Sequence, residues 1–376
     1  MGSDVVWAGP YPAHYSRTFH RALEERWPGT FHFLYVVRPG RSGGRAYERG
    51  ELPNSVMVVD NPSSVGGSDA TLRALRDMNP AALVVNGHSP PALAAAALWG
   101  LVRGRKVAYR SDTNLLDIFR NRSVARRAFH RFLGRTLLRS ADLLLSSGSR
   151  NSLYYCWATG RSAPERAEVR VPLPLDRVRS QGQADAGAGV QEEREQLTFL
   201  YLGRLAPEKS VDSLLYAAHE LAAFSSRWRI LIAGGGEEAE ALHRLRLELG
   251  VEDRVEFVGR VDSDARYELY RRGDVFVLPS TRESWGLVVN EALSSGLPVV
   301  APRWVGAVAD LVIDGYNGVI LESNTPEAVS DGMAVFLEDP DLAAEMGTRG
   351  PQIVSAGGWN LEGALEQMEV VLAELL

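Results

Sequence analysis

Four side chains in the second half of the chain, Arg204, Lys209, Glu283 and Glu291, are of the types that could handle an anionic, hydroxyl-rich ligand. Arg204 and Lys209 flank a turn in Phe199-Leu-Tyr-Leu-Gly-Arg-Leu-Ala-Pro-Glu-Lys209, where an apolar strand-like run ends at Gly203 and a helical period starts near Ser210. Open α/β sheets bind ligands at such strand ends. Only Lys106 and Lys209 are lysines among 41 basic residues, so Lys209 is a compact ammonium in a chain that otherwise uses arginine. Chance under biased codon usage is the plainer alternative.

Glu283 and Glu291 bracket Ser284, Trp285, Gly286, Leu287 and Val288 in the stretch Asp274 to Pro302. An apolar run, Val275 to Leu278, is stopped by Pro279 and Ser280, and a helix and a second strand at Pro298 to Ala301 follow. Glu283 then falls in the loop, and Glu291 is expected about two turns into the helix, at ~5.4 Å per turn. The first amides of that helix lack intrahelical acceptors and carry the positive end of its dipole, a seat for phosphate. Gly286 lets the backbone approach a ligand. Two merely solvated glutamates are the alternative.

The elements that must position these groups alternate along the chain. Strands are expected near Asp4 to Ala8, Phe31 to Val37, Val56 to Val59, Ala81 to Val85, Lys106 to Arg110 and Asp142 to Ser146, with helical periods between them, which argues for a mostly parallel sheet covered on both faces. In the second half, Arg229 to Ala233 runs into Gly234-Gly-Gly236, and Val255 to Val261 carries Arg260 and Val261. Polar groups at strand ends of the first half are His14 and Tyr15 after Gly9-Pro-Tyr-Pro, His88 after Asn86-Gly87, and Arg110 with Asp112. His14 could act as a base or hydrogen-bond donor; a structural loop histidine is the alternative. Asp112 is a candidate for contact with a sugar or an acceptor hydroxyl, or else the N-cap of the following helix.

The segments GRLAPEK, LIAGGGEE, VEFVGRV, ESWGLVVNEAL and SGLPVVA, in this order over about residues 197 to 346, resemble the C-terminal half of the family-four retaining glycosyltransferases of the GT-B fold. The first half resembles them only in outline. The resemblance implies two Rossmann-like, doubly wound parallel-sheet domains facing a central cleft. The expected division is an acceptor-binding domain at 1–178 with the last helix, about 361–376, packing back on it, a linker at 179–196, and a nucleotide-sugar domain at 197–360. It also implies roles for Arg204, Lys209, Glu283, Asp112 and His14 in catalysis. Donor contacts would come from Gly203, Arg204, Lys209, Gly234, Arg260, Val261, Glu283 to Val288 and Glu291, with Glu283 on sugar hydroxyls and Glu291 on the ribose. The acceptor side would draw on His14, Tyr15, His88, Arg110 and Asp112. Three places depart from the family: one glycine and two prolines in the first loop where it has a glycine pair, Arg110 and Asp112 where it has a histidine, and Val305 to Asp310 where it has a glycine pair and a glutamate.

The activity so implied is retaining transfer of a sugar from a nucleoside diphosphate sugar to an acceptor hydroxyl on a glycan, glycolipid or small natural product. No cofactor and no metal are expected, since Asp262 and Asp264 read as caps for the helix that follows and the cations can neutralise a diphosphate. Two rivals stay open: a nucleotide-sugar epimerase of the same fold, and a catalytically silent nucleotide-sugar-binding subunit.

With 376 residues, 45% of them hydrophobic, and a net charge of −6, the chain can fill two cores and is a poor general nucleic-acid binder. One cysteine, Cys156, excludes an internal disulfide. No export signal and no apolar run of spanning length are evident, so a cytoplasmic location is expected. Arg120 to Arg139 departs from the acidic average, with seven arginines and no acid. Val124, Ala128, Phe129, Phe132, Leu133 and Leu137 are expected to form the apolar stripe of an amphipathic helix there. Its basic face would dock peripherally on an anionic membrane or pair with acids elsewhere.

Overall fold

The computed structural model describes residues 4–10, 16–37, 56–60, 65–88, 91–120, 123–161, 196–261 and 265–376. Two compact units are present, one formed by residues 1–174 together with Leu361–Leu376, the other by residues 175–360. Their boundary, the segment Pro172 to Asp176 and most of the expected linker lie outside the described residues.

Unit 1 is built on six parallel strands, β1 (Val5–Gly9), β2 (Phe31–Val37), β3 (Val56–Asp60), β4 (Ala82–Asn86), β5 (Lys106–Ser111) and β6 (Leu143–Ser146), in the order β3-β2-β1-β4-β5-β6. Side chains alternate across a strand, and these strands are apolar at both parities, so both faces demand cover. On one face Val6, Ala8, Leu83, Val85, Val107 and Tyr109 pack under α2 (Val65–Met78), α3 (Pro91–Val102) and α6 (Ser149–Thr159). On the other, Val5, Trp7, Phe31, Phe33, Val84 and Ala108 meet α1 (Ser16–Arg26) and the helix Leu361–Leu375, which sends Leu365, Met368 and Leu372 into that layer. Arg26 donates to Glu362 at 2.7 Å and pins the two helices together. Between β5 and β6 the chain makes α4 (Leu115–Arg120), α5 (Val124–Leu133) and a π-helical turn, Gly134–Leu138.

Unit 2 repeats the plan. Its strands β7 (Leu197–Leu202), β8 (Trp228–Ala233), β9 (Val255–Gly259), β10 (Val275–Val277), β11 (Val299–Pro302) and β12 (Gly318–Leu321) are all parallel, in the order β12-β11-β10-β7-β8-β9. The intervening helices are α7 (Val211–Phe224), α8 (Ala239–Glu248), α9 (Ala265–Arg272), α10 (Leu287–Ser294), α11 (Val308–Leu311), α12 (Pro326–Glu338), α13 (Asp341–Gly347) and α14 (Gly350–Ala356); α15 is the Leu361–Leu375 helix of unit 1. In both sheets the chain starts in the middle and winds outward both ways, which leaves a crevice at the carboxyl ends of the two central strands, the usual ligand position of such sheets. In unit 2 those strands are β7 and β10. The loops that leave them are 203–209 and 278–286.

The apolar stripe expected along α5 is divided between two sides: Val124, Ala128, Phe129 and Phe132 face solvent, while Leu133 and Leu137 are buried together with His130. The His130 imidazole takes the interior because its Nδ1 lies 2.9 Å from the Tyr154 hydroxyl. A second anchor is Gly134, where a Cβ would fall 2.2 Å from the Ala158 carbonyl oxygen. Backbone can come that close only at glycine, so the helix is seated by that edge.

Candidate donor-binding site in unit 2

The β7 loop passes into a 3₁₀ turn, Pro207–Lys209, before α7. Its shape is fixed by the neighbouring glycine loop. Leu205 N–H donates to the Gly235 carbonyl at 3.1 Å, and Glu238 N–H donates to the Leu205 carbonyl at 3.1 Å. Gly234 has φ +147 and a Cβ there would sit 1.8 Å from the Gly203 carbonyl oxygen, so no larger residue fits. Arg260 lies alongside Gly235, whose Cβ would be 3.5 Å from its Nε. Val261 follows it, half-buried. Gly203, Gly234 and Arg260 are thus gathered at the strand ends, and Asp262 and Asp264 lie outside the described residues.

The β10 loop is fastened from both sides. Thr281 donates to the Glu208 carbonyl through its amide at 2.9 Å and its hydroxyl at 3.0 Å. On the far side, Gly306 N–H donates to the Glu283 carbonyl at 3.2 Å and Ala307 N–H to the Trp285 carbonyl at 2.8 Å. A Cβ on Gly306 would lie 2.1 Å from the Ser284 carbonyl oxygen, which is why Val305 to Asp310 keeps a glycine there. Gly286, at φ 95 and ψ 68, turns the chain into α10. The helix starts at Leu287, so Glu291 lies little more than one turn along it, not the two turns the spacing suggests; half of that spacing is spent in the loop. The Leu287 and Val288 amides are first-turn donors without intrahelical acceptors.

Three cations of the site are each held by a carboxylate. Lys209 pairs with Glu283, both side chains largely buried at 16% and 17% exposure. Arg204 pairs with Glu208 and is open to solvent. Glu291 is buried; Arg266 Nη1 reaches one of its oxygens at 3.2 Å and the Tyr270 hydroxyl donates to the other at 2.9 Å. Burial pushes the Glu291 carboxyl up, with Arg266 and the Tyr270 bond acting against it. Burial and Glu291 raise the Tyr270 phenol well above its ordinary range, which keeps it a proton donor.

Trp285 is not presented to a ligand by its ring. The indole is buried, stacks on Trp359 at 4.9 Å, and donates from Nε1 to Asn290 Oδ1 at 2.9 Å. What Trp285 can offer at the loop is its backbone, beside half-buried Ser284.

In unit 1, His88 Nδ1 lies 2.9 Å from the Tyr109 hydroxyl, and burial followed by the Arg126 charge lowers its pKa. Arg110 Nη1 donates to Asn86 Oδ1 at 3.3 Å. Asp112 stands exposed and does not cap α4; buried Asn114 does so, its Oδ1 accepting from Leu116 N–H at 2.9 Å. His14 and Tyr15 lie outside the described residues.

Sequence reasoning passed over Glu208, Arg266, Tyr270, Asn290 and Gly306. Glu208 stands inside the quoted GRLAPEK, four residues after Arg204, a spacing that pairs charges. Arg266 and Tyr270 stand four apart on one face of α9, a weaker signal whose target on α10 is tertiary. Among the described residues no group of three or more His, Cys, Asp or Glu is arranged to hold a metal.

Residues 188–353 match the family described as glycosyl transferases group 1. The chain is 37% identical over 174 residues to D-inositol 3-phosphate glycosyltransferase 2 of Catenulispora acidiphila, 44% of this chain and 40% of that one. It is 32% identical over 178 residues to an uncharacterized glycosyltransferase of Haemophilus influenzae, 47% of this chain and 49% of that one. The chain therefore spans less than half the length of these curated relatives. Among solved structures, sucrose-phosphate synthase from Thermosynechococcus elongatus superposes with a TM-score of 0.77 at 18% identity over 99% of both chains. Anabaena HepE in complex with UDP-glucose does so with a TM-score of 0.74 at 17% identity, over 99% of this chain and 100% of that one. The two parallel-sheet α/β units are those of the GT-B fold, and the resemblance to group 1 glycosyltransferases holds across unit 2.

Proposed function

We propose that this chain transfers a sugar from a nucleoside diphosphate sugar to an acceptor hydroxyl, with retention and without a metal ion. The observation that carries the reading is the Lys209–Glu283 pair at the mouth of α10, between the two central strand ends of unit 2. A diphosphate brought to this mouth competes with Glu283 for the Lys209 ammonium. Lys209 then turns to phosphate oxygens, joined by Arg204 and the Leu287 and Val288 amides, and Glu283 is released to accept from sugar hydroxyls. Glu291, whose two oxygens are held by Arg266 and Tyr270, is the group for the ribose hydroxyls, each oxygen having a second lone pair to accept with.

The sugar–phosphate bond breaks with its electron pair passing to the departing phosphate oxygen. The acceptor oxygen forms the new bond on the same face and gives its proton to that oxygen. Preformed positive charge at the leaving group is the main lowering of such a barrier. His88, Arg110 and Asp112 of unit 1, with His14 and Tyr15, are assigned to acceptor recognition. The complex of the Anabaena protein with UDP-glucose makes that nucleotide sugar the first donor to try.

The test is a melting screen of nucleoside diphosphates and their sugars on wild type, Lys209→Ala and Glu291→Gln. A ligand at 100 times its dissociation constant adds ~2.7 kcal/mol to the folded state. Stabilisation of wild type that both variants lose supports the donor site; no stabilisation by any nucleotide removes it. Proton NMR of the incubated donor separates the rivals: a product with the donor's anomeric configuration means retaining transfer, an inverted sugar carbon on intact nucleotide sugar means an epimerase, and unchanged donor means a silent subunit.

A further inference from the structure

Helix α5 wears its apolar stripe outward. Ala125, Ala128, Phe129 and Phe132 follow the spacing of a buried helix face, yet all are exposed. Val124 is 76% exposed, Phe129 49% and Phe132 67%, and they are joined by Phe119 of α4 at 43% and Leu153 of α6 at 54%. The helix cannot roll to hide them, because its opposite edge is committed to the His130–Tyr154 bond and the Gly134–Ala158 contact.

The charge around this stripe has one sign. No Asp or Glu occurs between Asp117 and Asp142, in a protein whose net charge is −6. Arg127 lies over the Phe119 ring at 5.0 Å and donates to its carbonyl; Arg131 lies over Trp157 at 5.0 Å and donates to its carbonyl. Those two cations hold α4 and α6 against α5. Arg126, Arg135 and Arg139 are exposed, and among the described residues none pairs with a carboxylate. Aromatic and aliphatic tips along one helix line, flanked by arginines that no carboxylate among the described residues neutralises, match a surface of shallow apolar depth under a layer of diffuse negative charge.

We propose that the α4–α5–α6 face of unit 1 docks on the surface of an anionic lipid bilayer, with Phe129 and Phe132 entering the acyl boundary and Arg126, Arg135 and Arg139 meeting lipid phosphates. No helix among the described residues is long and apolar enough to cross a membrane, so the contact is peripheral. The arginines set a preference for anionic headgroups that fades with salt, and the phenylalanines add an apolar part that salt leaves in place.

The full chain is sedimented with vesicles of phosphatidylcholine alone and of phosphatidylcholine with phosphatidylglycerol, at low and high salt. Partition onto the anionic vesicles is expected, about fivefold weaker for each arginine removed and ~10²-fold weaker for Arg126→Ala/Arg135→Ala/Arg139→Ala. Phe132→Ser, at a ring 67% exposed, weakens the salt-resistant part with melting temperature unchanged; Phe129→Ser/Phe132→Ser abolishes it, at some cost in melting temperature because the Phe129 ring also packs on His88 and His130 at 5.6 Å. The proposal is overturned by no partition onto anionic vesicles, by partition that survives both variants, or by binding to soluble heparin without binding to vesicles. It is also overturned if the wild type is a dimer that the phenylalanine variant splits and neither protein binds vesicles, since the face then belongs to a second copy. Vesicle binding needs no nucleotide, so its failure leaves the donor-site reading standing.

Discussion

Lys209 and Glu283, 74 positions apart in the chain, are bonded side chain to side chain at the start of α10. Two further cations near them, Arg204 and Arg266, are likewise held by Glu208 and Glu291. The site is assembled and nearly neutral before any ligand arrives, so donor binding is an exchange of partners rather than the filling of a bare positive pocket. Small anions with one charge should gain little from such an exchange, whereas a diphosphate brings two or more.

Removing the ammonium tests its part in the chemistry. Lys209→Ala should lower kcat about 10²- to 10³-fold, the cost of losing one preformed stabiliser of leaving-group charge. Its melting temperature without ligand should fall as well, because the largely buried Glu283 loses its partner, so the kinetics are read well below the variant's own melting temperature. Steady-state kinetics with the donor found in the melting screen checks this. Equal kcat in wild type and variant would remove Lys209 from the chemistry.

A methyl group at Gly306 should act on the loop without touching a ligand. Gly306→Ala places a carbon 2.1 Å from the Ser284 carbonyl oxygen and 2.8 Å from Trp285 Cα, both backbone atoms that must move. Displacement of Glu283 and of the first amides of α10 should weaken nucleotide affinity at least tenfold by calorimetry, about 1.4 kcal/mol. Unchanged affinity would mean that the loop is held elsewhere.

The Trp285 indole answers to stability instead. Trp285→Phe keeps part of the stack on Trp359 but leaves buried Asn290 without its Nε1–H donor, at a cost of about 1–3 kcal/mol. Trp285→Ala also opens a cavity and should cost ~3–5 kcal/mol in urea unfolding. A neutral alanine variant would show that the ring is not part of the core.

Acid should unfold unit 1 through its buried imidazoles. His20 is lowered to about 3 by burial and by the Arg110 charge, and His130 to about 4 by burial and by His88 and Arg126. Both stay neutral in the folded state and take a proton on unfolding below their ordinary 6.5, so the unfolded chain binds more protons and stability falls as pH falls from about 6.5 towards 4. Between pH 7.5 and 5 each contributes a loss of about 2 kcal/mol. His130→Gln should flatten the profile by roughly its share, measured by urea midpoints across pH. A profile unchanged in that variant would mean that His130 titrates alike in both states.

The fold was legible because its strands carry short apolar runs at both parities, which only a sheet covered on both faces can bury. The loops between β7 and α7 and between β10 and α10 were legible because their glycines, prolines and charges stand at close, fixed spacings. What escaped the sequence is what one element decides about another. Glu291 was placed too far along its helix because the positive φ of Gly286, not the sequence spacing, sets where α10 begins. Its partners Arg266 and Tyr270 come from α9, whose facing could be known only once both helices were seated on the sheet. In α5, periodicity identified an apolar side but not its direction, which the His130–Tyr154 bond and the Gly134 contact decided.

Helix α15 belongs to the first sheet, although the whole of unit 2 precedes it in the chain. On a ribosome the β1–β6 layer therefore emerges with one face bare of Leu365, Met368 and Leu372, and waits through the synthesis of unit 2 for the segment that closes it. Unit 2, contiguous in sequence, can mature meanwhile. The part of the chain made first is thus the last to be finished, and a nascent chain stalled before Leu361 would carry a completed second sheet beside a first one that is still open to chaperones and to aggregation.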